Sequence, residues 1–108
     1  MTKGQFDRNA LRDAVRSGRV RWQVHALARM MERGIMRNEV VAAINGGEVV
    51  EVYPSDKPFP SALLLFEGEQ PIHIVCSVDE IERIAHIITA YRPDLEHFLD
   101  DYKTRRQS

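Results

Sequence analysis

Apolar residues recur at helical spacing through the first half of the chain and at strand spacing through the second. Ala10, Leu11, Ala14 and Val15 form one stripe, which predicts a helix over 7–17 capped by Asp7 and stopped by Gly18. Val20–Trp22 reads as a short extended entry into a second helix, Val24–Arg33. At about 100° per residue, Val24, Leu27, Ala28 and Met31 share one side of that helix, and His25, Arg29, Glu32 and Arg33 the other. Gly34 follows, as suits a residue that must take a left-handed φ to end a helix. A third helix is predicted over 37–45, with Val40, Val41 and Ile44 as buried positions and Gly46-Gly47 as its break.

From Glu48 the pattern turns to β-branched and alternating residues. Strands are predicted at 48–53, 61–67, 72–78 and 83–91, with a proline-punctuated loop at 54–60 and short turns at 68–70 and 79–82. Short connections make successive strands antiparallel neighbours. Placing Val78 opposite Arg83 puts Ile74 against Ile87 and Cys76 against Ala85. His73 then falls on the other face with Val75, Ser77, Ile84, His86 and Ile88. Pro93 opens a final helix with a stripe of Leu95, Phe98, Leu99 and Tyr102. The expected class is α+β: N-terminal helices on one face of a four-stranded antiparallel meander, with a C-terminal helix. One domain spans 1–108, with a core near 20–94, an additional helix within 1–19 and a frayed tail at 103–108.

Composition narrows the class. A 44% hydrophobic and 29% charged content speaks against disorder, and one cysteine, Cys76, cannot form an internal disulfide. No apolar run approaches a membrane span and the N-terminus lacks a signal-peptide core, so a cytoplasmic protein without a membrane partner is expected. Up to Arg37 the chain carries nine Lys/Arg against three Asp/Glu, while the whole chain is near neutral at −1. Such segregation suits either a solvated helix face or a local phosphate-binding groove, and the near-zero total excludes broad coating of nucleic acid.

Phosphate-binding glycine motifs are missing, and no cofactor is expected. His25, His73, His86 and His97 show neither i, i+4 pairing nor a cysteine pair, so no metal site is expected. Histidines, arginines, Thr89 and Tyr91 from separate elements can form a metal-free site that cleaves a phosphodiester. Such a site needs a base for the 2′-hydroxyl, an acid for the leaving oxygen and a cation on the phosphate.

Four segments then come together: HALARMMERGI (25–35), GEVVEVYPSDKPFPS (47–61), PIHIV (71–75) and IITAYRPD (87–94). They resemble a bacterial domain family of unknown function grouped with the RelE/BrnT-like toxin superfamily. The resemblance implies a RelE-like fold, metal-independent cleavage of RNA, often messenger RNA on the ribosome, and a small antitoxin protein as partner. Carried onto this chain, it gives His25, His73, Tyr91 and Thr89 as catalytic residues and Arg29, Arg33, Tyr53 and Ser61 as substrate-binding residues, to which Arg92, the neighbour of Tyr91, is added as a phosphate-gripping arginine. His25 would act as base or acid, Arg29 as phosphate clamp, and His73 and Tyr91 as proton donor and orienting group. That arrangement needs His25 and Arg29 within about 8 Å of Tyr91 or His73, a gap that one phosphate fills with hydrogen bonds of ~3 Å on each side. With His25 and Arg29 pointing into solvent, the helix motif is structural. The alternative is a module of the same fold that binds protein or nucleic acid without cleaving it; a small-ligand domain ranks third.

Overall fold

The computed structural model describes residues 6–95 and 98–105. The elements run α1 (Arg8–Arg16), β1 (Val20–Trp22), α2 (Val24–Arg33), α3 (Arg37–Gly46), β2 (Glu48–Tyr53), β3 (Ser61–Glu67), β4 (Pro71–Asp79) and β5 (Ile84–Tyr91). Local chemistry sets most of these boundaries. The Asp7 carboxylate accepts a hydrogen bond from the Ala10 amide at 3.0 Å, satisfying one of the donors a helix start leaves free. Gly34 ends α2 at φ 67°.

The strands form one mixed five-stranded sheet in the order β1-β5-β4-β3-β2. This overturns the four-stranded antiparallel meander. Three residues, Val20–Trp22, are too few to show a period, and they pair in parallel with Ala85, His86 and Ile87 from the far end of the chain. Short connections give no sign of a partner so distant in the chain. The expected C-terminal helix is likewise absent among the described residues. Asp101 Oδ1 instead accepts from the Lys103 and Thr104 amides at 2.9 Å each, and Tyr102 takes φ 57°. Aspartate that bonds its own downstream backbone competes with helix, and here the chain reverses so that Phe98 and Arg105 form an isolated bridge.

All three helices bury their stripes on one face of the sheet. Ala10, Leu11, Ala14 and Val15 of α1, Ala26 and Met30 of α2, and Val40, Ala43 and Ile44 of α3 close over it. The sheet contributes Ala62, Leu64, Ile72, Ile74, Cys76, Val78, Ala85, Ile87 and Ala90. The helix α2 docks roughly 100° away from the expected side. Val24 and Met31 are 80% and 85% exposed, whereas Met30 is 3% exposed. Small Ala26 faces the sheet beside Met30 and permits the close approach to β5.

The basic first helix is partly a structural clamp. Arg8 donates to the Gly47 carbonyl and Arg12 to that of Asn45, capping the carbonyls that α3 leaves free at its end. The break after α3 requires glycine for a steric reason. A Cβ on Gly47 would lie 2.6 Å from the Leu65 carbonyl oxygen and closer still to that of Ala43. Gly47→Ala is therefore expected to lower stability by about 1–3 kcal/mol, read by urea unfolding, as overpacking does. An unchanged midpoint would contradict this packing. Among the described residues, no helix is long and apolar enough to cross a membrane.

Candidate functional site

The sheet face away from the helices, the open face, carries the polar residues together with the buried Leu63 and Leu65, and the C-terminal segment and the 54–60 loop cover part of it. Two β-bulges determine which side chains reach it. In β5, Thr89 pairs with Val75 but Ile87 with Cys76, so Ile88 is an extra residue. Strict alternation from His86 would turn Thr89 and Tyr91 into the helix layer; the extra residue turns them to the open face opposite His73. In β2, Val49 pairs with Leu64 and Glu51 with Leu63, so Val50 is extra and Glu51 and Tyr53 reach the same open face. The β4–β5 hairpin sits two residues from the expected register, with Val78 opposite Ala85. Parity is preserved near the turn, so His73, Val75, Ser77 and His86 do share a face, as expected.

Two linked groups result. The first is centred on His73, which is fully buried. Its Nε2 lies 2.7 Å from the Tyr102 carbonyl oxygen and its Nδ1 3.2 Å from the Tyr91 hydroxyl. A carbonyl only accepts, so Nε2 carries the hydrogen and Nδ1 accepts from Tyr91. Phe98 packs edge-on against the imidazole, with ring centres 4.6 Å apart. The second group is half exposed. Glu51 Oε1 accepts from Tyr53 at 2.7 Å, and Arg105 grips both carboxylate oxygens, with its NH2 group 2.8 Å from Oε1. The Arg105 guanidinium also lies 5.0 Å from the centre of the Phe98 ring.

Electrostatics give these groups distinct protonation states. Hydrogen bonds from Arg105 and then Tyr53 hold the Glu51 carboxyl below its usual range, so it is ionised at neutral pH. Burial, reinforced by the Glu51 bond, pushes the Tyr53 phenol up to about 12, and burial raises that of Tyr91. Both keep their protons. Burial lowers the His73 pKa, and its neutral form prevails. A histidine depressed on folding binds fewer protons than it does unfolded. Its contribution to stability is therefore present above the unfolded value of 6.5 and falls as acid is added through the folded value. Lowering the pH from 7 to 5 is expected to destabilise the wild type more than a His73→Gln variant. Parallel stability–pH curves would contradict the neutral, buried state.

The residues expected from sequence divide. His73, Tyr91, Thr89, Tyr53 and Ser61 share the open face. His25, Arg29 and Arg33 lie on α2 in the helix layer, exposed to solvent, with Arg29 3.9 Å from Glu32. One phosphate cannot span the sheet between the two sets. Arg92 is bonded to Glu39 of α3 at 2.9 Å. The Ser61 hydroxyl is buried and donates to Asp56, anchoring the 54–60 loop. His97 lies outside the described residues. Sequence reasoning missed Glu51 and Arg105, of which the first reads as an ordinary strand charge and the second as tail. Among the described residues, no group of three or more His, Cys, Asp or Glu is placed to hold a metal ion.

The fold and face together define an α+β domain whose mixed sheet is covered by helices on one side and carries ionisable groups on the other. Residues 22–92 match the family described as a domain of unknown function (DUF4258), and the chain belongs to that family. No curated protein and no solved structure matches the chain.

Proposed function

We propose that the open face is a metal-independent RNA-cleaving site of the toxin type, related to the RelE/BrnT-like superfamily. The observation that carries this reading is the contact of Glu51 with Arg105 and Tyr53 beside the His73–Tyr91 pair. It assembles an ionised carboxylate, a forked cation and a protonated phenol, that of Tyr53, within hydrogen-bond reach. Glu51 removes the proton of the 2′-hydroxyl, whose oxygen attacks the adjacent phosphorus. Arg105 releases Glu51 to grip the non-bridging phosphate oxygens. Tyr53 gives its proton to the departing 5′-oxygen, leaving a 2′,3′-cyclic phosphate and a 5′-hydroxyl. Glu51 then returns the abstracted proton to Tyr53 along their hydrogen bond. His73 and Tyr91 are positioning residues: His73 accepts from Tyr91 and holds the Tyr102 carbonyl, and with it the segment that carries Arg105. A small antitoxin protein as partner, RNA or the ribosome as target, and a cytoplasmic setting accompany this reading.

The test is incubation of purified full-length protein with a labelled synthetic RNA in the presence of EDTA. Fragments ending in 2′,3′-cyclic phosphate, together with growth arrest on expression in a bacterium, are expected. Intact RNA overturns the reading. A second reading, a binding module without cleavage, draws on the engagement of both His73 ring nitrogens. It gains if salt-dependent RNA affinity is present without cleavage and survives Glu51→Gln.

A further inference from the structure

Across the same face, over β4 and β5, the 54–60 loop arches over the sheet and encloses a cleft of about 320 Å³. The polar groups there are not used by the cleavage site. His86 and Phe59 stack on one another, with ring centres 5.6 Å apart and planes at 19°. Ser77 lies across the ladder from His86, and Arg21 of β1 is its partner on the other side. Gln23, Asp56, Lys57, Pro58 and Ile88 complete the lining; the Asp56 carboxylate is engaged by the Ser61 hydroxyl, and Lys57 forms no ion pair among the described residues.

We infer that this cleft binds one nucleotide of the RNA, its base against Phe59 and His86 and its phosphate towards Lys57 and Arg21. This rests on the RNA-cleaving reading and names a subsite for it. The volume is at the lower end for small-molecule sites and suits one nucleotide rather than a larger ligand. Aromatic rings accept any base by stacking, and neighbouring cations hold the backbone, which is how single strands are bound without sequence preference. The Gln23 amide and the Ser77 hydroxyl offer donors and acceptors to a base edge. Tyr53, Ser61, Ser77 and His86 lie on one rung of the sheet, so Tyr53 and His86 are three strands apart, about 14 Å, and a short single strand can reach both.

The test titrates full-length protein with adenosine and uridine 5′-monophosphates, and separately with inorganic phosphate, following the His86 ring and Gln23 side-chain NMR signals. Nucleotides are expected to shift both signals and to bind more tightly than phosphate alone. Phe59→Leu is expected to weaken nucleotide binding roughly tenfold or more, the scale of one base–aromatic stack, and Lys57→Gln to weaken it and reduce its salt dependence. Phe59→Leu should also raise KM for RNA with little change in kcat. Nucleotide affinity unchanged in both variants overturns the inference, as do signals that move only around Glu51 and Arg105. If RNA is cleaved through Glu51 while Phe59→Leu leaves KM unaltered, the subsite fails and the cleavage reading stands. If nucleotides occupy the cleft but RNA stays intact, cleavage fails and the cleft stands.

Discussion

Glu51→Gln is expected to slow RNA cleavage by about 10²- to 10⁴-fold, the usual contribution of a positioned proton-transfer group. The substitution keeps the size of the side chain and its ability to accept from Tyr53 while removing the base. Arg105 loses its ion pair in the same variant, so its fork is freer to meet the phosphate, and ground-state RNA binding should not weaken. The loss therefore belongs in kcat, and single-turnover measurement at saturating RNA separates it from affinity. Arg105→Lys keeps the charge but not the bidentate geometry, and a clear rate loss there would identify the fork as the phosphate clamp. Matching thermal melts for both variants and the wild type are needed to assign the losses to chemistry. A Glu51→Gln rate equal to that of the wild type would remove the carboxylate from the mechanism.

Met30→Ala and Met31→Ala are expected to differ sharply although the residues are neighbours. Met30 is 3% exposed inside the helix–sheet core, and truncating a buried methionine leaves a cavity worth about 2–5 kcal/mol. Met31 is 85% exposed, and its loss should stay within about 0.5 kcal/mol. At roughly 4–8 °C per kcal/mol for a domain of this size, the melting temperatures should separate by ten degrees or more. The reverse order would mean that α2 docks through Val24, Leu27 and Met31 after all.

This contrast shows where the sequence was readable. The helices, their caps and four of the strands follow from local chemistry: Asp7 as cap, Gly34 as stop, and prolines bounding the 54–60 loop. The docking side of α2 does not, because its apolar residues cover more than half its circumference and only the sheet decides which of them it covers. The candidate site was half legible. His73, Tyr91 and Tyr53 stand out as polar interruptions in apolar strands, yet alternation alone places Tyr91 with Ile87. The extra residues Ile88 and Val50 correct the parity at each side of the sheet, and neither is a glycine or carries another mark of a bulge. Arg105 is invisible for a different reason. It reaches Glu51 only because Asp101 and Tyr102 turn the chain back where a helical stripe pointed outward.

The parallel pairing of Val20–Trp22 with β5 has a consequence for synthesis. The β3–β4 and β4–β5 hairpins can close as soon as they leave the ribosome, since their partners are adjacent in the chain. The edge strand and the helix beside it cannot, because both rest on the last strand to be made. The first third of the chain must wait, with Leu11 and Met30 uncovered, until β5 has emerged. Closure of that edge joins the two ends of the fold and should be the slow, late event, as expected of contacts so distant in sequence. An arrested nascent chain ending before β5 should accordingly remain protease-sensitive throughout its N-terminal helices and be the form most prone to capture by chaperones.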